Sequence, residues 1–312
     1  MKLEVIRLKK QFKDCTAINN LSFSIETGEI TGFIGPNGSG KTTTMKVIAN
    51  IEPCDEGDIL LDDISILEYP ELIREHIGYV PDSLPSNKDM TVHEYIDFFA
   101  SAYGLKTPIR QKSVLQLEKF TNLTSLRDKT IDSLSKGMKQ RVSIARALIS
   151  DPDFILMDEP AAGLDPRARV ELRDLLKILK DQGKGILISS HILSELAEIC
   201  TSTVIIEHGK LLKAGKLEEI VNESAKSRNP IFQIKTMNPP SEELIKKISL
   251  EPMVSKISVF GNIIEFEYTG TKEQSIELVG KLVSDGLRIS SYGFKEENLE
   301  SVFMNVTKGE VQ

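Results

Sequence analysis

Gly35 to Thr42 reads GPNGSGKT, a GxxxxGK[ST] run whose residue types suit the grip of a phosphate chain. Glycines let successive backbone N–H groups turn inward onto an anion, and a following helix offers its positive end. Gly35, Pro36, Asn37, Gly38, Ser39 and Gly40 form the cradle, and Thr43 stands in the first turn behind it. Lys41 has the reach for the β- and γ-phosphates, and the Thr42 hydroxyl can bind Mg2+. A second chemistry-bearing pair is Asp158, which ends the run DFILMD, and Glu159 after it. An acid at the carboxyl end of a central strand can hold Mg2+ opposite Thr42, directly or through water. An adjacent acid not needed for the metal can align or deprotonate an attacking water. Acids at strand ends also cap helices, a plainer role open to either.

The elements around these residues have the periods needed to position them. Leu3, Val5, Ile6 and Leu8, then Leu21, Phe23 and Ile25, alternate as strands do, and EITGFIG (29–35) is a short buried strand entering the loop. KTTTMKVIAN (41–50) has helical character. From about 88 to 150 the texture is helical, opened by Thr91 and Glu94 at capping-box spacing. Tyr95, Phe98, Phe99 and Tyr103 follow, a concentration of aromatics that suits either a docking groove or simple packing. DFILMD is apolar throughout, as a parallel strand covered on both faces must be. Asp165-Pro166 reads as an N-cap acid with proline at the first helical position. GILISS (185–190) and TVIIEHG (203–209) are further strands, so this is a layered α/β domain over residues 1–222. VNESAKSRNP (221–230) marks a boundary. Residues 230–312 read as a small α+β domain: IFQIK, SEELIKKIS, ISVF and IIEFEY around a Gly261-Asn262 turn, a helix at 272–285 and a last one at 296–307.

Composition narrows the partners. The chain has 312 residues, 40% hydrophobic and 27% charged, ordinary for a globular protein of about two domains. A net charge of −7 argues against a nucleic-acid partner, whose phosphates demand a basic surface. Cys15, Cys54 and Cys200 lie far apart, so neither a disulfide framework nor a metal spacing is expected. No run approaches the ~18 apolar residues of a spanning helix, and MKLEVIRLKK lacks the apolar core of a signal peptide. A chain of this kind is expected to be soluble and intracellular.

Three more motifs carry a family resemblance across residues 3 to about 220. LSKGMKQR (134–141) resembles the LSGGQ signature of ATP-binding cassette (ABC) proteins, DEPAAGLDP (158–166) their Walker B and D-loop run, and SSHIL (189–193) their switch histidine. The step of 93 positions from Lys41 to Leu134 leaves room for the family's inserted helical subdomain, at about 88–150. The resemblance is strongest to the subgroup serving ABC-2-type export permeases, and ENLESVFMNVT (297–307) is similar to the end of its C-terminal extension. It implies an α/β P-loop NTPase with a mixed sheet and inserted helical subdomain, plus the small C-terminal α+β domain.

By that resemblance Phe12, 23 residues before Gly35, would stack on adenine, with a core role as the lesser alternative. Ser135 and Gly137, ahead of a helix expected near Met138, would contact the γ-phosphate of a nucleotide held by another subunit. Lys41 and Glu159 would be catalytic, His191 would sense the γ-phosphate, and Asp165 would reach across the dimer. Two departures stand out. The signature reads Leu134-Ser-Lys-Gly-Met138, keeping the serine and second glycine, and GYVPD (78–82) ends in Asp82 where the family has Gln. Asp82 is still a competent Mg2+ ligand or water acceptor, so altered rather than absent hydrolysis is expected.

One loop and one signature per chain imply a head-to-tail homodimer, or a heterodimer with a related subunit, closed on two ATP and Mg2+. A separate ABC-2-type permease would carry the transport path and hold the ATPase on the inner face of the membrane. Two other readings are a soluble ABC ATPase unconnected with transport and a low-turnover nucleotide sensor.

Overall fold

The computed structural model describes residues 1–84, 89–190, 192–226, 229–295 and 299–307. The chain divides into two units, Met1–Leu217 with the described residues from Phe303 onward, and Glu218–Val302.

The first unit opens with β1 (Lys2–Phe12), β2 (Cys15–Glu26), β3 (Ile30–Ile34) and α1 (Lys41–Ile48), followed by β4 (Glu56–Leu61), β5 (Ile64–Ser65), α2 (Glu71–His76) and β6 (Ile77–Val80). Helices α3 (Val92–Ala102), α4 (Thr107–Phe120) and α5 (Lys136–Ala147) come next. Then come β7 (Phe154–Met157), α6 (Pro166–Asp181), β8 (Gly185–Ser190), α7 (Leu193–Ala197), β9 (Ser202–Glu207) and β10 (Lys210–Lys216).

Two sheets result. An antiparallel one has the order β2-β1-β4-β5, and a six-stranded one has the order β10-β9-β3-β8-β7-β6. In the second, β9, β3, β8, β7 and β6 pair in parallel, and β10 is antiparallel to β9. Every residue of β3, β7 and β8 is buried, as parallel strands covered on both faces are. β1 instead alternates, and its buried Leu3, Val5 and Leu8 join Phe33, Met45, Phe154 and Leu187 in one core between the sheets. Parallel strands deliver their carboxyl ends to one edge, so the segments after β3, β6, β7 and β8 gather there.

The helical stretch has its own core, with Val92, Tyr95, Ile96 and Ala100 of α3 against Val114, Val142 and Ala145. Its first helix carries the full capping box, the Glu94 carboxylate accepting from Thr91 N–H and the Thr91 hydroxyl from Glu94 N–H. The aromatics divide: Tyr95 is fully buried, Phe99 and Tyr103 are half-buried against the same core, and Phe98 is 56% exposed.

Past α8 (Leu217–Lys226), the second unit runs β11 (Ile231–Thr236), α9 (Glu242–Ser249), β12 (Val254–Phe260), β13 (Ile263–Tyr268), α10 (Lys272–Ser284) and β14 (Ile289–Phe294), before α11 (Leu299–Val306). Its antiparallel sheet has the order β12-β13-β11-β14, the split β-α-β-β-α-β arrangement. Phe232, Ile234, Ile264, Phe266 and Tyr268 on one face pack with Ile248 of α9 and Leu278, Val279 and Leu282 of α10. The opposite face is polar, where Glu265 meets Lys295 and Gln233, and Glu267 meets Lys256.

Candidate active site

The phosphate loop leaves β3 at Gly35 and enters α1 at Lys41. Ser39 N–H donates to the Pro36 carbonyl at 3.1 Å, closing a tight turn. Gly40 sits at φ 102°, and a Cβ there would lie 2.3 Å from the Ala17 carbonyl of β2, so only glycine fits. The turn after β9 braces the loop from behind, with Gly209 N–H donating to Ser39 O at 3.0 Å. No side chain caps α1 and no acid lies in its first turn, so its amino end presents N–H groups suited to an anion.

Lys41 is only 7% exposed, and its Nζ donates to the carbonyls of Gly35 at 2.7 Å and Pro36 at 3.1 Å. Burial pushes its pKa below the ordinary lysine value, while the nearby Glu159 and Asp158 carboxylates pull it back up. The loop lysine and both acids therefore share one electrostatic neighbourhood. Thr42, the next residue, is exposed at the mouth of the loop.

Asp158 is 3% exposed, directly beyond β7, and its N–H donates to Val80 O of β6 at 2.9 Å. Glu159 adopts a left-handed φ of 47°, a conformation that costs a non-glycine residue about 1–3 kcal/mol. The Ser189 hydroxyl accepts from Glu159 N–H and donates to Asp158 Oδ1, both at 2.8 Å. Sequence reasoning gave Ser189 no role of its own. The signal was a serine at the carboxyl end of an apolar strand, where solvent does not explain it.

Asp82 is exposed just past β6. On that strand burial, reinforced by Asp158 and Asp82 and opposed by Arg146, pushes the Tyr79 hydroxyl up to about 12. Phe12, 42% exposed, ends β1 on the hairpin whose Ala17 touches the loop, and Lys10 Nζ lies 5.2 Å from its ring centroid. His191 lies outside the described residues.

The signature helix begins at Lys136, two residues earlier than expected. Ser135 is its N-cap, its hydroxyl accepting from Met138 N–H at 3.4 Å, so the serine starts the helix rather than preceding a loop. Gly137 lies in the first turn, where a Cβ would come 3.3 Å from Ala168 Cβ of α6. Asp165 caps α6 by accepting from Ala168 N–H at 2.9 Å. These three residues belong to two helix starts packed side by side.

The residues fit Mg2+ by the chemistry of their donors. Thr42, Asp158 and Asp82 offer only oxygen, the preference of a hard cation. Among the described residues no cluster of three or more acidic, His or Cys side chains forms a cage. Mg2+ needs none, because it is ordinarily held by one or two carboxylates together with phosphate oxygens and water.

A phosphate loop and paired acids at the carboxyl edge of a parallel sheet define a nucleoside-triphosphate-binding P-loop protein. The family described as ABC transporter matches residues 18–162. The Nod factor export ATP-binding protein I of Rhizobium sp. (strain N33) is 32% identical over 311 residues, 99% of this chain and 98% of its own. A solved ATP-binding subunit of an ABC transporter is 31% identical with TM-score 0.65, covering 72% of this chain and 93% of that one. An ATP-binding cassette solved as a dimer in a post-hydrolysis state with ADP and Pi is 25% identical, with TM-score 0.62, covering 69% and 98%. This chain belongs to the ABC transporter family, as an ATP-binding ATPase subunit.

Proposed function

We propose that this chain is the ATP-hydrolysing subunit of an ABC-2-type membrane exporter, paired with itself or a related subunit around two ATP and driving a separate permease. The observation that carries the reading is a phosphate loop after β3 and an acid pair after β7 delivered to the same carboxyl edge of the parallel sheet. Export as the task is supported by a relative that matches nearly end to end and is named for it. Family subunits of this kind work with membrane permeases and dimerise. Among the described residues no helix is long and apolar enough to cross a membrane, which suits a subunit held on the inner face by its partner.

In this reading the loop amides from Gly38 to Thr43 and the amino end of α1 hold the phosphates, and Lys41 Nζ exchanges its two carbonyls for β- and γ-phosphate oxygens. Phe12 stacks on the base. Thr42 and Asp158, together with Asp82, would hold Mg2+, which would supply charge neutralisation at the phosphates. Glu159 orients water for in-line attack and takes its proton. Ser135 and Gly137 of one subunit close on the γ-phosphate held by the other, and His191 registers its loss. Removal of that charge loosens the dimer, as in other γ-phosphate switches.

The permease docks in a groove of about 350 Å3 between α2, β6 and α3, lined by Ile51, Arg74, Tyr79, Phe99, Tyr103 and Arg146. Tyr95 is core and takes no part. Affinity capture of the intact chain from detergent-solubilised membranes should retrieve one multispanning protein, and Arg74→Glu with Tyr103→Ala should weaken the capture. Recovery of soluble partners alone would overturn the export reading.

Asp82 gives a separate test. Asp82→Ala should lower ATP turnover roughly tenfold, the loss of one hydrogen bond to a charged centre, and raise the Mg2+ concentration for half-maximal rate. An unchanged rate and Mg2+ profile would remove Asp82 from the site.

A further inference from the structure

β8 outruns β7 at the sheet edge. The last β7–β8 register pair is Met157 with Ile188, whereas β8 continues beside β3 through Phe33–Ser189 and Ile34–Ser190. Ser189 is therefore held by an intact ladder on one side and overlooks, on the other, the point where the β7 chain turns away. At that point Glu159 loses a strand partner for its N–H and takes up its left-handed backbone. Even a half-buried amide without an acceptor would be costly there. The Ser189 hydroxyl supplies that acceptor, and with its single proton reaches Asp158 Oδ1, both at 2.8 Å. The Ser189 side chain is 0% exposed and Asp158 3%, so water does not compete for the bond between them.

We propose that Ser189 is a positioning residue for hydrolysis: its one hydroxyl fixes the backbone of the water-activating Glu159 and the rotamer of the metal-holding Asp158 together. The bond to the Glu159 amide holds the strained turn that sets where that carboxylate begins. The bond to Oδ1 ties one carboxylate oxygen, leaving Oδ2 for the metal or its water. The two acids are thereby set relative to each other rather than separately, which matters because misplacement of about 1 Å at a reacting centre can cost roughly 100-fold in rate. Ser189 itself touches no phosphate. The inference rests on the assignment of Asp158 and Glu159 made above.

The test compares Ser189→Thr with Ser189→Val, two side chains of nearly the same shape of which only threonine keeps the hydroxyl. Ser189→Ala, which adds no bulk, is measured beside them. Valine and alanine should turn over ATP roughly 10- to 100-fold more slowly than wild type, with threonine at least about tenfold faster than valine. Affinity for a fluorescent ATP analogue without Mg2+, read directly by titration, should stay within about twofold for all of them. Equal turnover in threonine and valine, wild-type turnover in alanine, or a rate loss matched by lost nucleotide affinity would each overturn the proposal. Glu159→Gln is run alongside: if it hydrolyses normally, the acid assignment fails, whereas a dead Glu159→Gln beside a fully active Ser189→Ala defeats Ser189 alone.

Discussion

Glu159→Gln should reduce ATP turnover by at least about 100-fold while nucleotide binding persists, because a positioned general base contributes about 10²–10⁴ to the rate. The carboxylate follows a buried strand, its backbone is held by Ser189, and it lies close enough to Lys41 to raise that lysine's affinity for its proton. Glutamine keeps the shape and loses only the base. Gel filtration with ATP should then show a stable dimer for the variant, since the closed state no longer has an exit, and mostly dissociated protein for wild type. Identical elution of the two would support a passive nucleotide sensor instead.

Lys41→Ala acts one step earlier, on binding. The ammonium already donates to the Gly35 and Pro36 carbonyls, so it is poised at the loop with little left to order. Charge-assisted hydrogen bonds are worth about 1.5–3 kcal/mol each, and two of them to phosphate oxygens amount to roughly a 100-fold loss of ATP affinity or more. Titration with a fluorescent ATP analogue measures it directly. The free protein should keep its melting temperature within a few degrees, since burying that charge is itself costly. Unchanged affinity would mean that the loop grips its ligand through backbone amides alone.

Much of the site could be read from local pattern. The loop declares itself through glycine spacing, and the strand before Asp158 through an unbroken apolar run. The helix starts at Thr91 and Asp165 show in their capping residues, all short-range effects. The start of α5 was misplaced because Gly137 argues against helix in propensity, yet in the first turn it is favoured by the close approach of Ala168. Phe98 could have been separated from Tyr95 by period alone, since it lies roughly 120° around the helix from the centre of the buried stripe. β14 and β10 were harder: β14 reads ISSYGF and β10 KLLKAGK, and each owes its conformation to the strand beside it. The bond from Ser189 to Asp158 spans 31 residues of chain and depends on one strand outrunning another, a relation no local window contains.

The near-touch of Gly137 and Ala168 carries a mechanical corollary. With only the Ala168 methyl between their backbones, the amino ends of α5 and α6 form one stiff wedge rather than two independent levers. Ser135 caps one edge of that wedge and Asp165 the other, so a tilt imposed at either tip arrives at its neighbour without slack.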